Sequence, residues 1–194
     1  MTSAQNPASP VPSVGPASDQ YARPLILALL SGCAVALLLG LYARFHHPTG
    51  FSLDVAGFSG PLYAKAWLTT AAVAFAVVQL VTGFWVVARR IAAPARIAAV
   101  HRWSGRIAIL LTVPVLIHCI YALGFQSYSA RVLAHSLLGC FVYGVFVAKM
   151  LSLVRRDAMP RWVIPVLGGA LFLGLLGVWL TSAVWLFSTK GVHS

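Results

Sequence analysis

Six histidines hold most of the chemistry available to this chain: His46, His47, His101, His118, His135 and His193. His118 and His135 stand in consecutive apolar runs that are joined by a short connection, Gln126 to Ala130. At about 1.5 Å per helical residue, they lie roughly 10 Å and 6 Å below the same end of their helices. Neutral imidazoles at similar depth on neighbouring helices are what axial ligation of a b-type haem requires. Phe125, Phe141, Tyr121 and Tyr143 are near in sequence and would suit a porphyrin wall. A haem between two histidines needs helices set wider than the usual packing distance of about 8–10 Å. Pro114, one turn before His118, is expected to kink its helix and so help.

The plain alternative for this pair is a hydrogen-bonded contact between helices, with His118 using the Leu110 carbonyl freed by Pro114. His101 opens the segment His101-Arg102-Trp103-Ser104-Gly105-Arg106, which reads as a basic, Trp-bearing interfacial collar. As a ligand to a second haem it lacks a histidine partner, and Met150 is the nearest substitute. Adjacent His46 and His47, followed by Pro48, give a weak metal-capture signal. The cysteines, Cys33, Cys119 and Cys140, read as small buried hydrophobes. Gln79 reads as an interhelical hydrogen bond.

The elements that must position these residues follow from composition. Of 194 residues, 60% are hydrophobic and only 9% charged, with mean hydropathy +0.87. A water-soluble domain is about a quarter charged, so soluble classes are excluded. Acids number 3 against 14 Lys and Arg, which leaves no carboxylate pair for hydrolysis and no hard-cation cage. No nucleophile, acid–base pair or cofactor-domain motif is present either, so no independent enzyme activity is expected. The sparse Lys and abundant Arg and Ala hint at a GC-rich bacterial genome.

Five apolar runs, about 24–45, 63–88, 103–125, 131–153 and 162–187, are each long enough to cross a bilayer as a helix. The expected fold is all-α, a polytopic bundle of five transmembrane helices over 24–188. A Pro/Ala/Ser-rich disordered tail, 1–23, precedes it and a short tail, 189–194, follows. Leu30-Ser31-Gly32-Cys33 has the form of a lipoprotein box, but the apolar run simply continues past it, as a first helix does. With the N-terminus inside, ten basic residues lie at cytoplasmic ends and 14 − 10 = 4, Arg44, Lys65, Arg131 and Lys190, lie outside. The rule that positive loops stay inside therefore gives N-in and C-out, in a bacterial plasma membrane, with five of the six histidines toward the outside. The bilayer is the first partner, with anionic headgroups at Arg89, Arg90 and Arg96. Nucleic acid is not expected.

Two resemblances attach to these residues. Ala64-Lys65-Ala66-Trp67-Leu68, His101 to Arg106, Pro114 to Cys119, Ala134 to Cys140 and Leu180-Thr181-Ser182-Ala183-Val184-Trp185 resemble an uncharacterised family of bacterial integral-membrane proteins. That resemblance implies a five-helix fold and no assigned activity. More distantly, His101-Arg102-Trp103 through Gly105-Arg106 to His118 resembles the third helix of ferric-reductase-like transmembrane domains, which hold b haems between histidine pairs. By that resemblance His101 and His118 would be ligands to different haems. The fourth helix lacks a second, inner histidine, so one haem is implied.

The leading expectation is thus a small b-type cytochrome-like protein, with His118 and His135 as ligands and electron transfer as its role. The alternatives are a non-catalytic membrane subunit or assembly partner, a homodimer included, held by small-residue stripes, or a metal-binding accessory using His46 and His47. The stripes are Ser136, Cys140, Gly144 and Ala148 in helix four and Gly168, Gly169, Gly174 and Gly177 in helix five.

Overall fold

The computed structural model describes residues 17–51, 60–88 and 94–192. Arg89, Arg90, His193 and most of the expected N-terminal tail lie outside them. The described residues form helices α1 (Ala17–Phe45), α2 (Pro61–Ala88), α3 (Ala95–Ile117), α4 (Ala130–Val154), α5 (Val163–Trp179) and the short α6 (Trp185–Lys190). A π-helical segment, His118–Leu123, continues α3, and a second one, Leu180–Val184, joins α5 to α6. Five stretches are long and apolar enough to cross a membrane: Tyr21–Phe45, Pro61–Trp85, Ala95–Leu123, Ala130–Val154 and Val163–Lys190. The chain is an all-helical, multi-pass bundle, as its apolar runs require.

Two boundaries differ from expectation. Helix α1 begins at Ala17, inside the segment read as disordered, and runs through Pro24. Helix α3 begins at Ala95 behind Pro94, so Arg96, His101 and Arg102 are helical rather than in a loop. Long basic side chains at a helix end reach toward headgroups without breaking the helix, which is why a hydropathy reading places such a start too late.

The ends have local causes. The Ser129 hydroxyl caps α4 by accepting from the Val132 amide at 3.3 Å. Gly124, at φ +71°, closes the π segment of α3 in a conformation that other residues rarely adopt. Pro114 lacks an amide hydrogen, and four residues later the helix widens into its π turn.

The helices pack side by side in the order α3, α2, α5, α4, α1, and α1 returns to touch the π segment of α3. The buried centre comprises Ala72, Val73 and Ala76 of α2, Val142 of α4, and Leu175 and Val178 of α5. Helices α1 and α4 meet backbone to backbone. A Cβ on Gly32 would stand 2.5 Å from the Gly144 carbonyl oxygen, and one on Gly144 would stand 2.7 Å from that of Gly32. Gly174 of α5 receives Val142 and Phe141, and Gly177 receives Leu138. The small-residue stripe of α4 is therefore covered by α1, and half of the α5 stripe by α4.

Candidate functional site

Helix α3 leans on α2, whereas α4 leans on α1 and α5. Between α3 and α4 a cavity of about 650 Å³ remains at the bundle end where α1 finishes, here the His46 end. Ligand cavities run from about 300 to 1,000 Å³. Pro114 stands in α3 one turn ahead of the π segment.

The Tyr143 hydroxyl of α4 donates to the Thr112 hydroxyl of α3 at 2.8 Å, bridging the two helices at the cavity wall. Val115, Leu116, Cys119 and Ile120 form the α3 wall, and Val132, His135, Gly139 and Cys140 the α4 wall. Both π segments contribute, through Cys119, Ile120 and Leu123 in one and Thr181 and Ser182 in the other. Such widened turns are frequent where helices carry function. In the second one the Thr181 and Ser182 hydroxyls fold back on their own helix, donating to Gly177 and Val178 carbonyls at 2.7 Å.

His135 is fixed here by Thr181. Its Nδ1 lies 3.1 Å from the Thr181 hydroxyl oxygen. That hydroxyl spends its one proton on the Gly177 carbonyl, so it accepts from His135, whose Nδ1 carries the hydrogen. In that tautomer the lone pair falls on Nε2, a nitrogen that a metal ligand can use. Orientation of a ligating imidazole through its other ring nitrogen is the usual arrangement at metal sites.

The other histidines sit differently. His118 is half-buried and does not line the cavity, whereas Cys119, the next residue along the π segment, does. Of the two histidines proposed as a pair, only His135 lines it. His101 lies at the opposite end, in the α2–α3 seam. Its Nδ1 donates to the Thr82 hydroxyl at 2.9 Å, which itself donates to the Val78 carbonyl at 2.7 Å. Gln79 donates to the His101 carbonyl and, at 3.3 Å, to the Ser104 hydroxyl. Gly105 leaves the room that this glutamine needs. Gln79 therefore does make the interhelical hydrogen bonds expected of it.

His46 is sandwiched between the Tyr42 and Tyr121 rings, each 5.0 Å away, with its Nε2 buried and without a hydrogen-bond partner among the described residues. His47 is exposed. Among the described residues no group of three or more His, Cys, Asp or Glu converges as a metal site. Cys119 and Cys140 are free thiols on the cavity wall, and Cys33 is a free, exposed thiol in the middle of α1. Of the aromatic residues expected to wall a porphyrin, Phe125 and Tyr143 line the cavity.

Three residues first read only as markers of orientation also line this cavity: Lys65 of α2, Arg131 of α4 and Lys190 of α6. Positions so far apart in sequence carry no signal of convergence until the helices are placed.

No curated protein and no solved structure matches the chain. One family model does, over residues 25–194, which covers the five spanning helices from the first apolar run onward. The chain belongs to DUF6529, a family of unknown function.

Proposed function

We propose that this protein binds one b-type haem in the cavity between α3 and α4, with His135 supplying an axial nitrogen, and that it serves electron transfer in the membrane. The observation that carries this reading is that His135 lines an apolar cavity with its Nδ1 held 3.1 Å from the Thr181 hydroxyl oxygen. Bound there, haem would supply one-electron redox chemistry. Thr181 holds the imidazole in one tautomer and one orientation. The apolar α3 wall keeps water from the ring, and Tyr143 with Thr112 ties the two helices at a fixed spacing. His118 does not line the cavity, so the reading rests on His135 more than on the pair.

Under the positive-inside rule the Arg155 end is cytoplasmic, and the cavity opens toward the outer face of a bacterial plasma membrane. Arg96, exposed on the first turn of α3, then meets anionic headgroups from the cytoplasmic side. The rival reading, a subunit held in a larger assembly by small-residue stripes, loses support because α1 and α4 already cover most of those stripes. A metal accessory built on His46 and His47 likewise has a tyrosine-enclosed first ligand and no third one among the described residues.

The test is the absorption spectrum of protein purified in mild detergent from haem-sufficient cells. Haem bands that sharpen on reduction are expected. Their absence, in protein given haem during refolding as well, would overturn the reading.

A further inference from the structure

Charge at the cavity mouth is unbalanced in a way that the haem reading does not require. Lys65, Arg131 and Lys190 come from three different helices and line one opening. Among the described residues, none lining the cavity is acidic. Asp157 is at the opposite end of the bundle, 3.6 Å from Arg156. Among the described residues the His46 end carries four basic residues, Arg44, Lys65, Arg131 and Lys190, and no acid.

Arg131 is already held in place. One guanidinium nitrogen donates to the Thr181 carbonyl at 2.6 Å, and the group lies 3.7 Å over the Trp185 ring. A guanidinium has five N–H donors, so most of them stay available, and the arginine loses little further freedom on gripping a ligand. Beneath this rim the cavity is apolar, walled by residues such as Val115, Leu116, Ile120, Val132 and Leu175. Uncompensated cations at the edge of a low-dielectric space call for a counter-anion. An apolar cavity below them calls for a hydrophobic body on the same molecule.

We infer that the mouth formed by Lys65, Arg131 and Lys190 binds the carboxylate or phosphate head of an amphiphile whose apolar body fills the cavity. The inference does not depend on haem. Haem, through its propionates, is one source of that chemistry, and a fatty acid or anionic lipid is another.

Full-length protein in a neutral detergent, titrated with cis-parinaric acid and separately with its methyl ester, provides the test. The acid is expected to bind at least about tenfold tighter than the ester, the worth of roughly one charge-assisted hydrogen bond. Lys65→Gln and Arg131→Gln should each weaken acid binding by about tenfold and leave the ester unchanged, with Arg131→Lys partly restoring it. Lys65→Gln serves alone if loss of the Thr181 contact impairs folding of the arginine variant. Equal binding of acid and ester, or indifference to both substitutions, would overturn the inference. Displacement of bound parinarate by haemin identifies haem as a natural source. Displacement by anionic but not zwitterionic lipid identifies a lipid, and either supports the proposed mouth. Acid preference in a protein that takes up no haem upholds the mouth and overturns the haem reading. Haem bands without acid preference do the reverse.

Discussion

The His135 Nδ1 lies 3.1 Å from the Thr181 hydroxyl, tying α4 to the π segment that follows α5. Under the haem proposal this contact orients the imidazole so that Nε2 can serve as the ligating nitrogen. Removing it while keeping the side-chain shape, as in Thr181→Val, is expected to weaken haem retention by about 10- to 100-fold. Thr181→Ser should restore it. Haem titration of the purified variants measures both.

The backbone contact of Gly32 with Gly144 admits no side chain. Gly32→Val would force its Cβ within 2.5 Å of a carbonyl oxygen, so α1 and α4 must separate. We expect a loss of about 1–3 kcal/mol or more, read as a lower midpoint for unfolding in mixed micelles. Gly169→Ala is the control. Its Cβ meets nothing within 4 Å, and the change should gain up to about 1 kcal/mol from helix propensity.

The polar seam of α2 and α3 predicts a structural role for His101. Thr82→Val removes the hydroxyl that faces His101 Nδ1 at 2.9 Å and should cost about 1 kcal/mol, in the range of interhelical hydrogen bonds in membranes. Haem content should not change in this variant or in His101→Ala. A haem lost with His101→Ala, in protein that still unfolds cooperatively, would place a ligand at that end instead.

His46 offers an opposite expectation. Its Nε2 is buried between two tyrosine rings with no partner among the described residues, and a buried unmade hydrogen bond costs about 1–3 kcal/mol. His46→Phe keeps a flat ring in the stack and removes that polar atom. We expect equal or higher thermal stability and unchanged metal content by elemental analysis. A marked loss of stability would show that the imidazole nitrogen is engaged.

Much of this fold is legible in the sequence. Five runs without interior acids leave few alternatives to five spanning helices. Pro114 forewarned of the disturbance in α3, although it takes the form of a π turn beginning at His118. That turn decides which of His118 and Cys119 stands on the cavity wall. Ideal helical spacing cannot resolve this, because one residue moves the side chain by about 100°. The start of α3 was hidden by Arg96, His101 and Arg102, whose charge mimics a loop. Thr181 was hidden because its part depends on where α5 packs. Lys65, Arg131 and Lys190 were visible as charges, and only tertiary structure brings them to one opening.

The most direct measurement compares reduced-minus-oxidised spectra of the wild type, His135→Ala and His118→Ala, each reconstituted with haem at equal protein concentration. Haem bands in the wild type that vanish in His135→Ala, while some binding survives in His118→Ala, are the expected result. Undiminished bands in His135→Ala would contradict the assignment of His135 as the ligand.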